Sequence, residues 1–337
     1  MKTAHKVLLI VATGLVAVGA LLAGVSFALA GGDINNLSNE DRSWHKEHYT
    51  FNADEVSALS GIDAADIQGV RVEGYDGDQI NIEYWENNDR NMSIENEDGV
   101  LTLRQNAGSQ SQHLQLFAIN ATDHATVIKV PEDFAGNLSI EGYNADVSVS
   151  RLSNLANLKL HSDCGHVVAN TVCATEAQLV TENGYLQADI LTIKGTLKFS
   201  AEAGNMVLDS IFADSLVAES GNGNTSIGRA TAQTITTSSQ SGNINLFGCD
   251  AKDMDVKSEN GEVEVSLPGS ESDYAVDLFA RVGVINTGFI PESGDRKVSV
   301  QTEAGNITVN YDAHNLNEQG VVYKGEALEE FFSAAHA

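Results

Sequence analysis

Proline is nearly absent from this 337-residue chain, with three in all, and cysteine is as scarce. So few prolines leave long stretches of backbone free to donate into a sheet ladder. Three cysteines, Cys164, Cys173 and Cys249, cannot all pair within one chain, which excludes a disulfide framework. Aromatic residues make up 6% of the chain, so platforms for stacking sugar rings are few. Basic residues are outnumbered, 19 Lys and Arg against 47 Asp and Glu, for a formal net charge of −28. A field of that sign repels phosphate backbones and excludes a nucleic-acid partner. Also missing are the strand-GxGxxG-helix and GxxxxGK contexts of phosphate-binding loops, a GxSxG nucleophile elbow and the HExxH order of a zinc protease.

What the chain has instead is a recurring glycine. Gly165, Gly184, Gly204, Gly223, Gly242 and Gly261 return about every 19 residues, and Gly283 and Gly305 follow at steps of 22. With each glycine as position zero, offsets +2 and +4 are apolar, as in Leu186/Ala188, Met206/Leu208 and Val263/Val265. Offsets −7 and −5 are apolar too, as in Leu158/Leu160, Leu197/Phe199 and Val298/Val300. Each pair brackets one mostly polar residue, the period of two of a strand with one buried face. A third stripe at +7 holds Val172, Leu191, Ile211, Ala230 and Cys249. Ser or Thr at −3, as in Ser162, Thr181, Ser220, Ser239, Ser258 and Thr302, and frequent Asn at +1, as in Asn205, Asn224, Asn243 and Asn306, supply side chains that bond the backbone at a turn. A repeat this short cannot bury its own apolar face and must stack on its neighbours. The spacing therefore predicts an all-β fold, a parallel β-helix or β-solenoid with coils of about 19–22 residues, wound right-handed by the usual crossover preference. In it the cysteines are small core fillers, not partners.

Five segments follow along the chain. Residues 1–30 place Lys2 and Lys6 before 24 uncharged residues, Val7 to Ala30. As a helix these span about 36 Å, enough for a hydrocarbon core of about 30 Å. They predict a transmembrane signal anchor, or, since Ala28-Leu29-Ala30 fits a cleavage site, a signal peptide. Either way the basic end stays inside and the acidic bulk goes outside. Residues 31–50 read as a stalk, in which Trp44 to His48 suits a membrane interface. Residues 51–135 read as an irregular β region capping or starting the solenoid, 136–311 as the regular coils, and 312–337 as a tail. In that tail Gly325 to His336 predicts a short helix with Ala327, Leu328, Phe331 and Phe332 apolar, placed to cover the final coil or to bind a partner.

The run Val127-Ile128-Lys129-Val130-Pro131-Glu132-Asp133-Phe134, then Leu138-Ser139-Ile140-Glu141-Gly142 and the glycine-turn coils, resembles the bacterial putative-adhesin domains of unknown function. The resemblance covers about 65–311. It implies a membrane-anchored β-solenoid on the outside of a bacterial cell, in some relatives associated with envelope stress, and it supplies no catalytic residues.

Several side-chain groups carry candidate chemistry. At −2 the coils offer Asp163, Glu182, Glu202, Glu259 and Glu303, a row that a calcium ion would suit, but it is interrupted by Gly221 and Gln240 and lacks the glycine-rich calcium repeat. His161, Asp163, Cys164 and His166 are the densest soft-ligand group. One strand turn cannot converge four of them on zinc without help from another coil. The sequence thus assigns no catalytic residues, no metal, no cofactor and no specific binding residues. It predicts a non-enzymatic, extracellular, membrane-tethered module whose partner is an unknown envelope or extracellular protein or glycan. The alternative is a polysaccharide lyase or glycosidase with its cleft in the longer loops around Tyr274 to Arg296.

Overall fold

The computed structural model describes residues 44–107 and 124–312, together with six helical positions between 16 and 28. The expected anchor over 7–30 and the expected tail helix over 325–336 otherwise lie outside the described residues. Among the described residues, no helix is long and apolar enough to cross a membrane.

In chain order the strands are β1 (His45–Phe51), β2 (Gly61–Ala65), β3 (Val70–Tyr75), β4 (Ile80–Glu86), β5 (Arg90–Glu97), β6 (Val100–Ala107), β7 (Thr126–Pro131) and β8 (Asn137–Gly142). The long strands β9 (Val147–Ser162), β10 (Val167–Asn183), β11 (Leu186–Ala203), β12 (Met206–Asn222) and β13 (Thr225–Ser241) each run through most of a coil. Shorter ones follow: β14 (Ile244–Phe247), β15 (Asp250–Asn260), β16 (Val263–Pro268), β17 (Tyr274–Val282), β18 (Ile285–Asn286), β19 (Arg296–Ala304) and β20 (Ile307–Asp312). One short helix, α1 (Ala53–Val56), lies between β1 and β2. The chain divides into two compact units. The smaller is formed by Met1–Lys46, Trp85–Asn91 and Ala107–His124. It holds both tryptophans: Trp44 stacks on His124 at 4.3 Å, Trp85 meets the edge of the same imidazole at 5.1 Å, and Arg90 lies over Trp44.

The larger unit is a parallel β-solenoid of about nine turns. Alternation sends every second side chain inward, and parallel register puts like on like. After the glycine, Val147, Val167, Leu186, Met206, Thr225, Ile244, Val263 and Ile307 form one column from coil to coil. Before it, Leu158, Ala177, Leu197, Leu216, Ile235, Met254, Val298 and Val276 form a second. Val172, Leu191, Ile211 and Ala230 form a third. These columns fill one continuous buried core, and their burial is the main favourable term in holding the coils together.

The layers do not stack in the order of the chain. β19 and β20 pair with β15 and β16 on one side and with β17 and β18 on the other. The last coil therefore lies beneath the penultimate one. The opposite end repeats the device, because β2 lies between β6 and β8, and β3 between β7 and β9. Both terminal coils thus have each edge bonded, and the outermost layer at each end comes from inside the sequence. The 22-residue steps to Gly283 and Gly305 carry the chain outward across an unfilled layer and back into it. Three of these layers are pinned together: Arg296 of β19 donates to the Tyr274 hydroxyl of β17 at 3.1 Å and to Asp250 of β15 at 3.3 Å.

One corner of the coil holds residues in the left-handed region, Arg151, Thr171, Ile190, Ser210 and Arg229, with φ between 51° and 56°, and Gly248 takes the same corner at 63°. An L side chain there costs roughly 1–2 kcal/mol, and glycine gives back part of that gain through its freer unfolded chain. Ile190→Gly is expected to raise unfolding free energy by about 0.5 kcal/mol in urea titration, despite removing a half-exposed aliphatic side chain.

Candidate functional site

The glycine turns are built by close approach. A Cβ on Gly184, Gly204, Gly223, Gly242 or Gly261 would run into the carbonyl oxygen of the glycine one coil before it, and Gly305 stands in the same way on Gly261. Beside this column runs a ladder of side-chain acceptors. The Asn205 amide oxygen accepts from the Asn224 N–H at 2.9 Å, Asn224 from Asn243 at 3.0 Å, and Asn243 from Glu262 at 2.9 Å. Farther along, Asn306 accepts from the Val284 N–H at 3.0 Å. At −3, the hydroxyls of Ser162 and Thr181 donate to the turn carbonyls of Ala145 and Gly165. These polar residues hold one coil to the next, so the turn chemistry is structural.

Of the four soft-ligand residues in the first half, the fold keeps two together and sends two away. His161 Nε2 lies 3.3 Å from Asp163, and stacking brings Glu182 in from the next coil, so that three donor atoms lie within 4.8 Å of one another. His166 instead joins the turn ladder, where its N–H donates to Asp146 and its ring stacks on Tyr185 at 3.7 Å. Cys164 is exposed beside Asn183. The neighbouring coil thus supplies a third donor, and among the described residues no fourth joins them. In the interrupted row of turn acids, Glu303 is held by Arg281 at 2.9 Å.

The three cysteines are free. Burial pushes the Cys249 thiol from an ordinary 9.0 up to about 12, and the thiol donates weakly to the Ile227 carbonyl. A raised folded-state value makes a contribution that is complete below about pH 9 and lost as the pH climbs toward 12. Thermal midpoints are expected to fall above pH 9, and Cys249→Val, which fits an aliphatic column, should flatten the first part of that fall. In the native protein a thiol reagent should modify Cys164 and spare Cys249.

A concavity lies on the outer face of the last coils. It is an open groove of about 560 Å³, lined by Asp253, Asp255, Asp277, Glu292 and Lys297 over a floor that includes Met254. The transposed layers create it. Register sets Asp253 beside Lys297 and places Asp255, Ser299 and Asp277 in one row across three layers, while Glu292 comes from the connection after β18. Lys257 bonds Asp255 at 2.5 Å. The long steps in the sequence marked this region, but they did not bring Asp253 or Asp255 to it, because those residues meet Asp277 only through the inserted coil.

Solved structures with a similar course of chain include a putative adhesin from Bacteroides fragilis, 14% identical, covering 81% of this chain and 98% of its own, with a TM-score of 0.43. A putative adhesin from Parabacteroides distasonis is also 14% identical over 81% of this chain and 98% of its own, at 0.38. A protein from the same species named as a putative lipid binding protein is 14% identical over 82% of this chain and 98% of its own, at 0.37. The chain has no match among curated proteins. The model of the family described as Toastrack DUF4097 matches residues 62–310, from β2 through β20, and the chain belongs to that family.

Proposed function

We propose that this protein is a non-enzymatic binding and structural module of a cell envelope, held at the membrane by residues 7–30 with Lys2 and Lys6 inside and the solenoid outside. The observation that supports it most is the use of the repeat's polar groups. The Asn ladder and the Ser162 and Thr181 hydroxyls are spent between coils, and what the solenoid then presents outward among the described residues is extended sheet and an open groove that gathers carboxylates. Catalysis needs donors preorganised around a reacting atom in a site that excludes water. The groove is open to water instead, with its carboxylates set beside a mainly apolar floor. Its four carboxylates around Lys297 suit a partner carrying several positive charges, engaged in a way that salt weakens.

One observation favours a second reading, a carbohydrate-active enzyme: the groove gathers carboxylates where such an enzyme would keep its acid and base. Incubation with cell-wall and plant polysaccharides, followed by reducing-end and unsaturated-product assays, decides between the two. The binding module yields no product and retains an envelope component in pull-down until salt is raised. Turnover abolished by Asp277→Asn or Glu292→Gln would overturn it.

A further inference from the structure

The two ends of the solenoid are finished differently. At the end formed by β6 and β7, the inward residues Leu101, Leu103, Ile128 and Val130 are completely buried, beneath an antiparallel β4 that contributes Ile80 and Ile82. At the other end the apolar columns simply run out. Ile285 of β18 continues the column of Ile307 and Val263, yet it is 37% exposed where those two are 0% and 1%. Around it Val282, Val284 and Phe289 are 66%, 60% and 57% exposed, and Ile290 is exposed beside them. Among the described residues, β17 pairs with β19 and β18 with β20, and on the opposite side β17 meets no strand, only the Pro291 carbonyl, which accepts from the Val276 N–H at 2.9 Å. An apolar patch next to free strand edges is an aggregation template unless something lies over it.

We propose that the segment 313–337 of the same chain is what covers this end, with Leu328, Phe331 and Phe332 against Val282, Val284, Ile285 and Phe289. Three observations support that occupant. The segment leaves from the end of β20, the strand directly beneath β18, so it starts one layer from the patch. Thirteen residues separate Asp312 from Glu326, a reach of about 43 Å when extended, far more than one layer of about 4.8 Å. Its apolar residues at 327, 328, 331 and 332 have the i, i+1, i+4, i+5 spacing of one helical face, which matches a patch that is apolar without a charged centre. The layer order makes the cover necessary at this place: the last coil is already sheltered inside, and it is the penultimate coil that needs a lid.

Hydrogen exchange on the full chain tests this, read at peptides spanning 279–290. In the natural sequence these amides are expected to exchange at least ten times more slowly than in Phe331→Ser/Phe332→Ser, with the rest of the solenoid unchanged. Phe289→Ser/Ile290→Ser on the patch should release the same amides and, in addition, those of 325–336, which a merely local defect would not do. Fast exchange of 279–290 in the natural chain would overturn the proposal, because the end would then be bare. Slow exchange that survives both changes at 331 and 332 would also overturn it, and a dimer in sedimentation would then assign the cover to a second copy.

Discussion

Replacing Gly223 by valine should cost more than about 3 kcal/mol and should leave most of the protein unfolded or aggregated. Gly223 has φ of 151°, and a Cβ there would collide with the Gly204 carbonyl oxygen, which is backbone and cannot swing aside. To relieve the clash the coils must separate, and separation breaks the bonds on either side of the turn. Gly223 N–H to Ser241 and Met206 N–H to Asn224 are both 2.9 Å. The control is Gly228, where an added Cβ meets only the side-chain oxygen of Asp209 at 2.8 Å. That oxygen can move, and the Asp209–Arg229 pair that it belongs to is exposed, so Gly228→Ala should cost under about 1 kcal/mol. Urea titrations of the two variants side by side make the comparison.

Phe199→Ala should cost about 3–5 kcal/mol in the same titration. Phe199 is fully buried between Leu179 below and Ala218 above in one inward column. The small Ala218 leaves the space that the ring occupies. Truncation to alanine therefore sets two alanines over each other and opens a cavity that stacked, hydrogen-bonded coils cannot close by moving together. Ala218→Phe alone should lose about 1–3 kcal/mol through overpacking. Combined with Phe199→Ala it should recover part of both losses, because the ring then occupies the gap from the other side. Additive losses in the double variant would mean that the two positions do not share one column.

The regular coils could be read from the residues because each carries its own punctuation. A glycine, in every coil but that of Gly204 a hydroxyl three positions before it, and two mostly apolar pairs keep phase from Gly165 to Gly261, and parallel stacking turns that phase directly into contact. The order of the layers could not be read in this way. Parallel pairing depends on matched strands and not on their adjacency in the chain, so Ile307 fits over Val263 as well as Ile285 would. The alternating pattern is the same in both arrangements. The left-handed corner was equally silent, since Thr171 and Ile190 occupy it against their own preference and are held there by the sheets on each side. Of the candidate chemistry, the residues His161 and Asp163 were visible as neighbours, whereas Glu182 joins them only across a coil boundary. The groove was marked by its long connections, but its walls depend on the inserted coil and so on the layer order that the sequence did not reveal.

That order can be measured by pulsed electron spin distances in a background with Cys164 and Cys173 replaced by serine. One label goes at Lys159 and the second at Asp255, Ser299 or Asp277, all on outward positions of the same face. Five, six and seven layers at about 4.8 Å each predict backbone separations of about 24, 29 and 34 Å. The label at Ser299 is expected to fall between the other two, although it is last in the chain. A separation for Asp277 shorter than that for Ser299 would contradict the inserted coil, and separations that fail to grow by one layer spacing per step would contradict the stack itself.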